Sequence, residues 1–258
     1  MMIHMPDISD YDKSGYDYTK YWIDRQYEDF AEKRVLNRLL PNNGGQLLDL
    51  GGSFGRFATT YCPRYKKAII LDFSKQALEQ ANHLAKRHNI TNLETIWGNA
   101  YHTPFEDKSF DTVLLIRVLH HIKNVPALFT EIYRVLKPNG TLIIEMANKI
   151  HLKSTLSNLV KGKFNFRHDL SPIQLSGTNG DEESGIFYNF HPDDIKNKLA
   201  QSFIIDRKIS ANNLRLPPNL KKRIPIPILL ALDQIIEPIF TLFNWGPSVW
   251  FRCHKKES

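Results

Sequence analysis

Cysteine is almost absent from this chain. The 258 residues hold two, Cys62 and Cys253, with no metal-ligand spacing and no basis for a disulfide-built fold. Also missing is an uninterrupted apolar run of the roughly 20 residues a membrane span needs. The most apolar stretch, Ile228 to Trp245, is broken by Asp233, Gln234, Glu237 and Pro238. Residues 1–21 are polar and acidic-aromatic, without the apolar core of a signal peptide, so a cytoplasmic location is the default expectation. Internal repeats, low-complexity tracts and RNA-binding signatures are not found. Charge is not scarce: the balance is +7 with a pI near 9.3, which leaves room for an acidic partner such as nucleic acid or an anionic membrane surface. The basic residues are dispersed (Lys66-Lys67, Lys86-Arg87, Lys221-Lys222-Arg223, Lys255-Lys256). That is the ordinary pattern of a solvated basic surface.

What is present starts at residues 47–55, Leu-Leu-Asp-Leu-Gly-Gly-Ser-Phe-Gly, followed some twenty residues later by Ala-Ile-Ile-Leu-Asp72. An apolar strand ending in Asp49, then glycines, then a second strand ending in an acid is a nucleotide-site layout. Gly51 and Gly55 let the backbone turn tightly and approach a ligand closely. Asp72, at the carboxyl end of the next strand, can accept both hydroxyls of a ribose. The glycine pattern differs from the dinucleotide Gly-x-Gly-x-x-Gly.

From Gln46 onward strands and helices alternate. A helix over Ser74 to His88 leads to strand Leu93–Trp97, then to strand Thr112–Ile116. A helix over Val125 to Leu136 stops at Lys137-Pro-Asn-Gly140, and strand Thr141–Met146 follows. Such alternation requires a parallel sheet with helices on both faces, with a crevice at the carboxyl ends of its strands. Ahead of it, Tyr16 to Leu40 carries apolar or aromatic residues at helical spacing. The first ten residues are expected to be mobile.

Four blocks together make the chain resemble a class I S-adenosylmethionine-dependent methyltransferase of the type 11, ubiquinone/menaquinone-biosynthesis-like subgroup. They are Asp49-Leu-Gly-Gly-Ser-Phe-Gly55, Leu71-Asp72, Gly98-Asn-Ala-Tyr-His-Thr-Pro-Phe105, and Ser109-Phe-Asp-Thr-Val through Leu119-His-His-Ile122. Glu131 to Gly140 matches the family's next helix and turn, so the resemblance covers about residues 45–150. Two positions depart from the family pattern. Ser53 stands where a second glycine is usual, and Asn99 where an aspartate is common.

The resemblance implies an α/β, Rossmann-like fold with seven mostly parallel strands and an antiparallel last strand, Ser248–His254. It implies S-adenosylmethionine as cofactor and S-adenosylhomocysteine as product. The expected cofactor residues are Tyr21, Arg25, Asp49, Gly51, Gly52, Ser53, Gly55, Asp72, Phe73, Asn99, Ala100 and Arg117. Asp49 would order the loop or meet the amino group of the methionine part, and Phe73 would pack on the adenine. Asn99 and Ala100 would offer an amide and a backbone N–H to its edge. Arg117 would hold a carboxylate or pair with a nearby acid. Arg25, one helical turn from Tyr21, would grip the methionine carboxylate from a lid helix. Candidate bases are His121, Tyr188 and His191; in this family His120 and His121 often serve loop packing instead. No metal site is expected. The exocyclic-amine motif Asn/Asp-Pro-Pro-Tyr/Phe is absent after the fourth strand, where Arg117-Val-Leu-His stands. That speaks against a nucleobase acceptor.

The expected organisation is one domain, 1–258. It comprises a helical lid over 1–40, a cofactor-binding core over 45–150, and inserted substrate-side segments over 149–186 and 216–247. The last of these reads as two short amphipathic helices hinged near Pro238. With Lys221-Lys222-Arg223 just before it, residues 221–245 are candidates for peripheral membrane contact. The activity expected is methyl transfer to a small-molecule or lipid-like acceptor. The alternative is a non-catalytic module with the same fold, acting through its basic or apolar surface.

Overall fold

The computed structural model describes residue 12, residues 17–175 and residues 187–256. The expected mobility of residues 1–10, a helix start at Tyr16 and the far part of the 149–186 insert lie outside these described residues.

Strands β1 (Gly44–Leu50), β2 (Tyr65–Asp72), β3 (Leu93–Trp97), β4 (Phe110–Leu115) and β5 (Leu136–Ala147) pair in parallel. A separate ribbon joins β6 (Ile173–Gln174) to β7 (Tyr188–Asn189). β8 (Phe203–Ala211) and β9 (Ser248–Lys255) complete a seven-stranded sheet of order β3-β2-β1-β4-β5-β9-β8. Only β9 runs antiparallel to its neighbours in that sheet, as the resemblance implied.

The helices are α1 (Gln26–Leu39), α2 (Ala58–Tyr61), α3 (Lys75–Arg87), α4 (Val125–Val135), α5 (Leu152–Val160), α6 (Pro192–Leu199), α7 (Pro218–Lys221) and α8 (Ile226–Leu242). Successive strand residues point to opposite faces, and β1 shows the consequence. Leu48 and Leu50 join one core with Leu128, Ile132 and Val135 of α4. Leu47 joins the other, with Val35, Leu36 and Leu39 of α1. Ser74 caps α3, its hydroxyl accepting the Ala77 N–H at 3.0 Å.

Three expectations need correction. The amino-terminal helix is interrupted: a single 3₁₀ turn, Lys20–Trp22, precedes α1, which starts at Gln26. Val35, Leu36 and Leu39 are fully buried against the sheet, so residues 26–39 pack as part of the core. Next, β5 begins before its predicted turn. Phe110 pairs with Leu136 while Thr112 pairs with Thr141, so Lys137-Pro-Asn-Gly140 bulges within the strand, with Asn139 at φ +58°.

Finally, α8 runs unbroken through Pro238. The chain bends earlier, between Lys221 and Ile226. Pro238 removes one helical hydrogen bond, yet the helix is anchored on both sides of it: to α1 before it, and to β8 after it, where the Thr241 hydroxyl accepts the Ser210 N–H at 2.9 Å. Arg34 pairs with Asp233 at 2.5 Å, and Arg38 with Glu237 at 2.7 Å. The Tyr27 hydroxyl donates to Asp233 at 2.8 Å. The acids that broke the apolar run in the sequence are buried contacts in the fold.

Candidate active site

The crevice opens at the carboxyl ends of β1, β2 and β4, as the topology requires. Asp49, Gly51, Gly52 and Ser53 form its floor; Asp72 ends β2 and Phe73 follows it; Ala100 follows β3; Arg117, Val118 and His121 follow β4.

The loop geometry explains its sequence. Gly51 has φ +75°, and a Cβ there would stand 2.4 Å from Val118 Cγ2. A Cβ on Gly52 would stand 2.6 Å from Asp49 Cγ, filling the space above that carboxyl. Ser53 has φ +49°, the region where a side chain costs about 1–2 kcal/mol, which is why glycine suits that position. Gly55 turns the chain behind the loop and does not line the crevice.

Two carboxylates face this loop in different states. Asp49 is buried, and its Oδ2 has no hydrogen-bond partner among the described residues. Burial pushes its pKa up to about 7 against the opposing pull of the neighbouring Tyr61 hydroxyl, and the charge of Asp72 adds to the rise. Asp72 is tied to the backbone, Oδ2 accepting the Ser53 N–H at 2.8 Å and Oδ1 the Ser74 N–H at 2.9 Å. Each oxygen keeps a further lone pair for a diol. Burial raises this carboxyl too. Phe73 stacks on Trp97 at 5.3 Å, and the Trp97 Nε1–H donates to the Phe73 carbonyl at 2.8 Å.

Arg117 sits at φ +60°, held by a buried network. Its N–H donates to Glu145 at 2.9 Å, its Nε–H to the Tyr18 hydroxyl at 3.0 Å and its Nη2–H to the Tyr21 hydroxyl at 3.2 Å. Glu32 pairs with it at 3.3 Å. Arg117 thus pairs with an acid while lining the crevice wall.

Several predicted residues stand elsewhere. Tyr21 lies behind Arg117 and off the wall, and the Arg25 guanidinium covers the Tyr21 ring at 4.0 Å instead of reaching the loop. Asn99 is also off the wall. Its Oδ1 accepts the Tyr101 N–H at 2.8 Å, closing its own turn, while Ala100 lines the crevice. His191 caps α6: its Nδ1 accepts the Asp193 N–H at 3.1 Å, and its Nε2 lies 3.0 Å from the Arg167 carbonyl. Satisfying both makes Nε2 the protonated nitrogen, so neither nitrogen is available as a base. Tyr188 is half-buried and packs against Phe190 at the edge of the core. His120 is buried and held neutral by that burial. Of the candidate bases only His121 lines the crevice.

Residues the sequence reading missed include Tyr18, Phe54, Arg56, Gln76 and Gln80 on the wall. Arg56 is the structural one. Its guanidinium lies 3.5 Å from the Trp22 ring centre and 4.0 Å from that of Phe57, with Asp29 at 2.8 Å and Glu32 also paired to it. A signal existed: Glu32 falls among the apolar positions Ala31, Val35, Leu36 and Leu39 of one helix, where a lone charge implies a buried partner.

Among the described residues no group of three or more His, Cys, Asp or Glu is placed to hold a metal, and both cysteines are free and buried. Residues 48–144 match the family described as "Methyltransferase domain". The chain is 32% identical over 133 residues to a demethylmenaquinone methyltransferase of Lactococcus lactis, covering 50% of this chain and 53% of that protein. It is 33% identical over 99 residues to a fatty-acid O-methyltransferase of Mycolicibacterium smegmatis, covering 38% and 35%. The curated relatives it matches are thus spanned over about half their length or less. A crystal structure from Thermotoga maritima, described as a methyltransferase dependent on S-adenosylmethionine and a possible histamine N-methyltransferase, superposes with TM-score 0.63. It shares 20% identity, covering 93% of this chain and 94% of that one. Residues 48–144 thus match the methyltransferase-domain family, in a chain that shares its fold with solved S-adenosylmethionine-dependent methyltransferases.

Proposed function

We propose that the chain binds S-adenosylmethionine in the crevice and transfers its methyl group to a small, lipid-like acceptor. The orphaned Asp49 Oδ2 beneath Gly52 carries this reading. An ammonium is the group that would satisfy it, and the methionine part of the cofactor supplies one; the diol-ready Asp72 and the Phe73 ring stand where ribose and adenine would follow. Asp49, the loop N–H groups of Gly52 and Ser53, Asp72 and Phe73 would hold the cofactor.

Bound there, the cofactor supplies a methyl group on a sulfonium whose sulfur keeps the bonding pair as the acceptor takes the carbon. The protein's contribution is orientation, which is worth several kcal/mol of a barrier, and a route for the acceptor's proton. His121 is the side chain we assign to take that proton, since it is the candidate base on the wall. Tyr18, Phe54, Val118 and Ile122 surround the same mouth, a lining suited to an apolar acceptor. The fatty-acid and demethylmenaquinone substrates named for two relatives support that class, and such an acceptor would suit peripheral membrane contact through residues 221–245.

Calorimetry with S-adenosylhomocysteine tests the cofactor site. Asp72→Ala should weaken binding by roughly 1.5–3 kcal/mol, the range for hydrogen bonds to a charged group. Unchanged affinity in a folded variant would overturn the assignment. Turnover with a panel of quinols, phenols and fatty acids then separates an enzyme from the non-catalytic alternative.

A further inference from the structure

Helix α8 is inside out. Its acids, Asp233 and Glu237, are buried against α1, and Leu229 is the buried residue between α7 and those acids. Its outer face presents Ile228, Leu232, Ile235, Ile239 and Leu242, with Ile235 71% and Leu242 70% exposed. A helix facing water on that side would carry its polar residues outward. Gln234 is the one polar side chain among its exposed residues.

A second apolar surface adjoins its carboxyl end. Leu152 N–H donates to the Trp245 carbonyl at 2.9 Å, and Arg167 donates to the Phe243 carbonyl at 3.0 Å. These bonds seat α5 and the turn after it beside residues 243–245. There Leu156, Val160 (91% exposed) and Phe164 (73% exposed) project outward.

Charge accompanies these surfaces with one sign. Lys153, Lys161 and Lys163 are exposed around α5, and Arg223 is exposed before α8, beside Lys222, which pairs with the exposed Asp24 at 3.4 Å. The acid of the α5 region, Asp169, is neutralised by Lys149 at 2.8 Å, while the two of α8 are turned inward. Lys221, counted with the basic cluster in the sequence, is instead spent on Glu28 at 2.5 Å.

We infer that the outer face of α8, together with α5 and residues 161–164, docks on an anionic lipid surface. The inference sharpens the membrane contact proposed above and rests on that reading for its purpose, drawing acceptor from the bilayer. Exposed aliphatic and aromatic side chains enter the headgroup boundary, and the flanking cations meet its negative potential. No helix among the described residues is long and apolar enough to cross a membrane, so the contact is with one leaflet. A second copy of the chain is the competing occupant, because Ile228, Leu232, Ile235, Ile239 and Leu242 recur at alternating steps of four and three. Pairing two such faces in either direction would crowd cations against cations at the ends of α8, which the lipid surface does not.

Flotation with vesicles tests this. The full chain should float with phosphatidylcholine–phosphatidylglycerol vesicles at low salt, and much less at high salt or with phosphatidylcholine alone. Replacing Ile235, Ile239 and Leu242 by Gln should cut the bound fraction by about tenfold or more. Lys161→Gln with Lys163→Gln should weaken binding to anionic vesicles only. Unchanged thermal unfolding and S-adenosylhomocysteine calorimetry would show these variants folded. No flotation at low salt, or equal flotation by the Gln variants, overturns the inference. So does a lipid-free dimer that the Ile235, Ile239 and Leu242 changes dissociate while flotation is absent. Loss of cofactor binding in the unaltered chain that still floats would sink the methyltransferase reading and leave the docking face standing.

Discussion

In the proposed site, Asp49 would couple protonation to ligand binding. Its carboxyl, raised to about 7 by burial, holds a proton that the unfolded chain would already have released. Stability from this group is therefore greatest at low pH, and declines as pH rises from the ordinary carboxylate range to about 7. An ammonium beside it reverses the preference by favouring the ionised form. Affinity for S-adenosylhomocysteine is expected to rise with pH up to about 7 and then level, with proton release visible as a buffer-dependent calorimetric heat. Asp49→Asn should flatten both profiles; a variant that keeps the slope would place the titration elsewhere. Gly52→Ala offers a steric counterpart. Its Cβ would press on Asp49 from 2.6 Å, and overpacking of that kind costs about 1–3 kcal/mol. Cofactor affinity should fall further than thermal stability does, because the added methyl occupies the space over the orphaned oxygen.

Among the elements, the capping of α6 and the clasp between α1 and α8 make separate predictions. His191→Ala removes a cap worth about 0.5–2 kcal/mol and should lower the unfolding temperature while leaving kcat unchanged. A selective loss of kcat would restore His191 as a base. Asp233→Ala strips the acceptor from Tyr27 and from the Asn213 N–H, at about 1–3 kcal/mol for each buried group left unpaired. Denaturant unfolding reads this directly. These elements also show where sequence reasoning stops. β1, β2 and the loop between them were legible because the signal is local: an apolar run, glycines and a terminal acid lie within a few residues. Asp49, Asp72 and Phe73 came with them. Arg117 was placed but its partners were not, since Glu32 lies 85 positions away in the chain and Tyr18 99. The hinge expected at Pro238 followed propensity, whereas tertiary contacts on both sides of it, to Arg34 and Arg38 before and to Ser210 after, hold the helix through it. His191 looked chemical because a cap and a base use the same nitrogens.

For the whole molecule, α1 is the element that decides what can be removed. Its buried Val35, Leu36 and Leu39 share a core with Leu47 and Trp250, so a chain starting at residue 41 is expected to lose its cooperative thermal transition. Tyr18→Ala, in contrast, should leave that transition in place and weaken cofactor binding. The sheet order has a different consequence, for biosynthesis. β9 lies between β5 and β8, yet it follows both in the chain. While it is still inside the ribosome, β5 has one open edge along its whole length and β8 has no neighbour in the sheet. An unpaired edge of that kind recruits other chains, and pairing across more than a hundred residues is slow to form. A nascent chain stalled at residue 247 should therefore carry the crevice-forming strands and still be captured by holdase chaperones, and only release of residues 248–255 should free it.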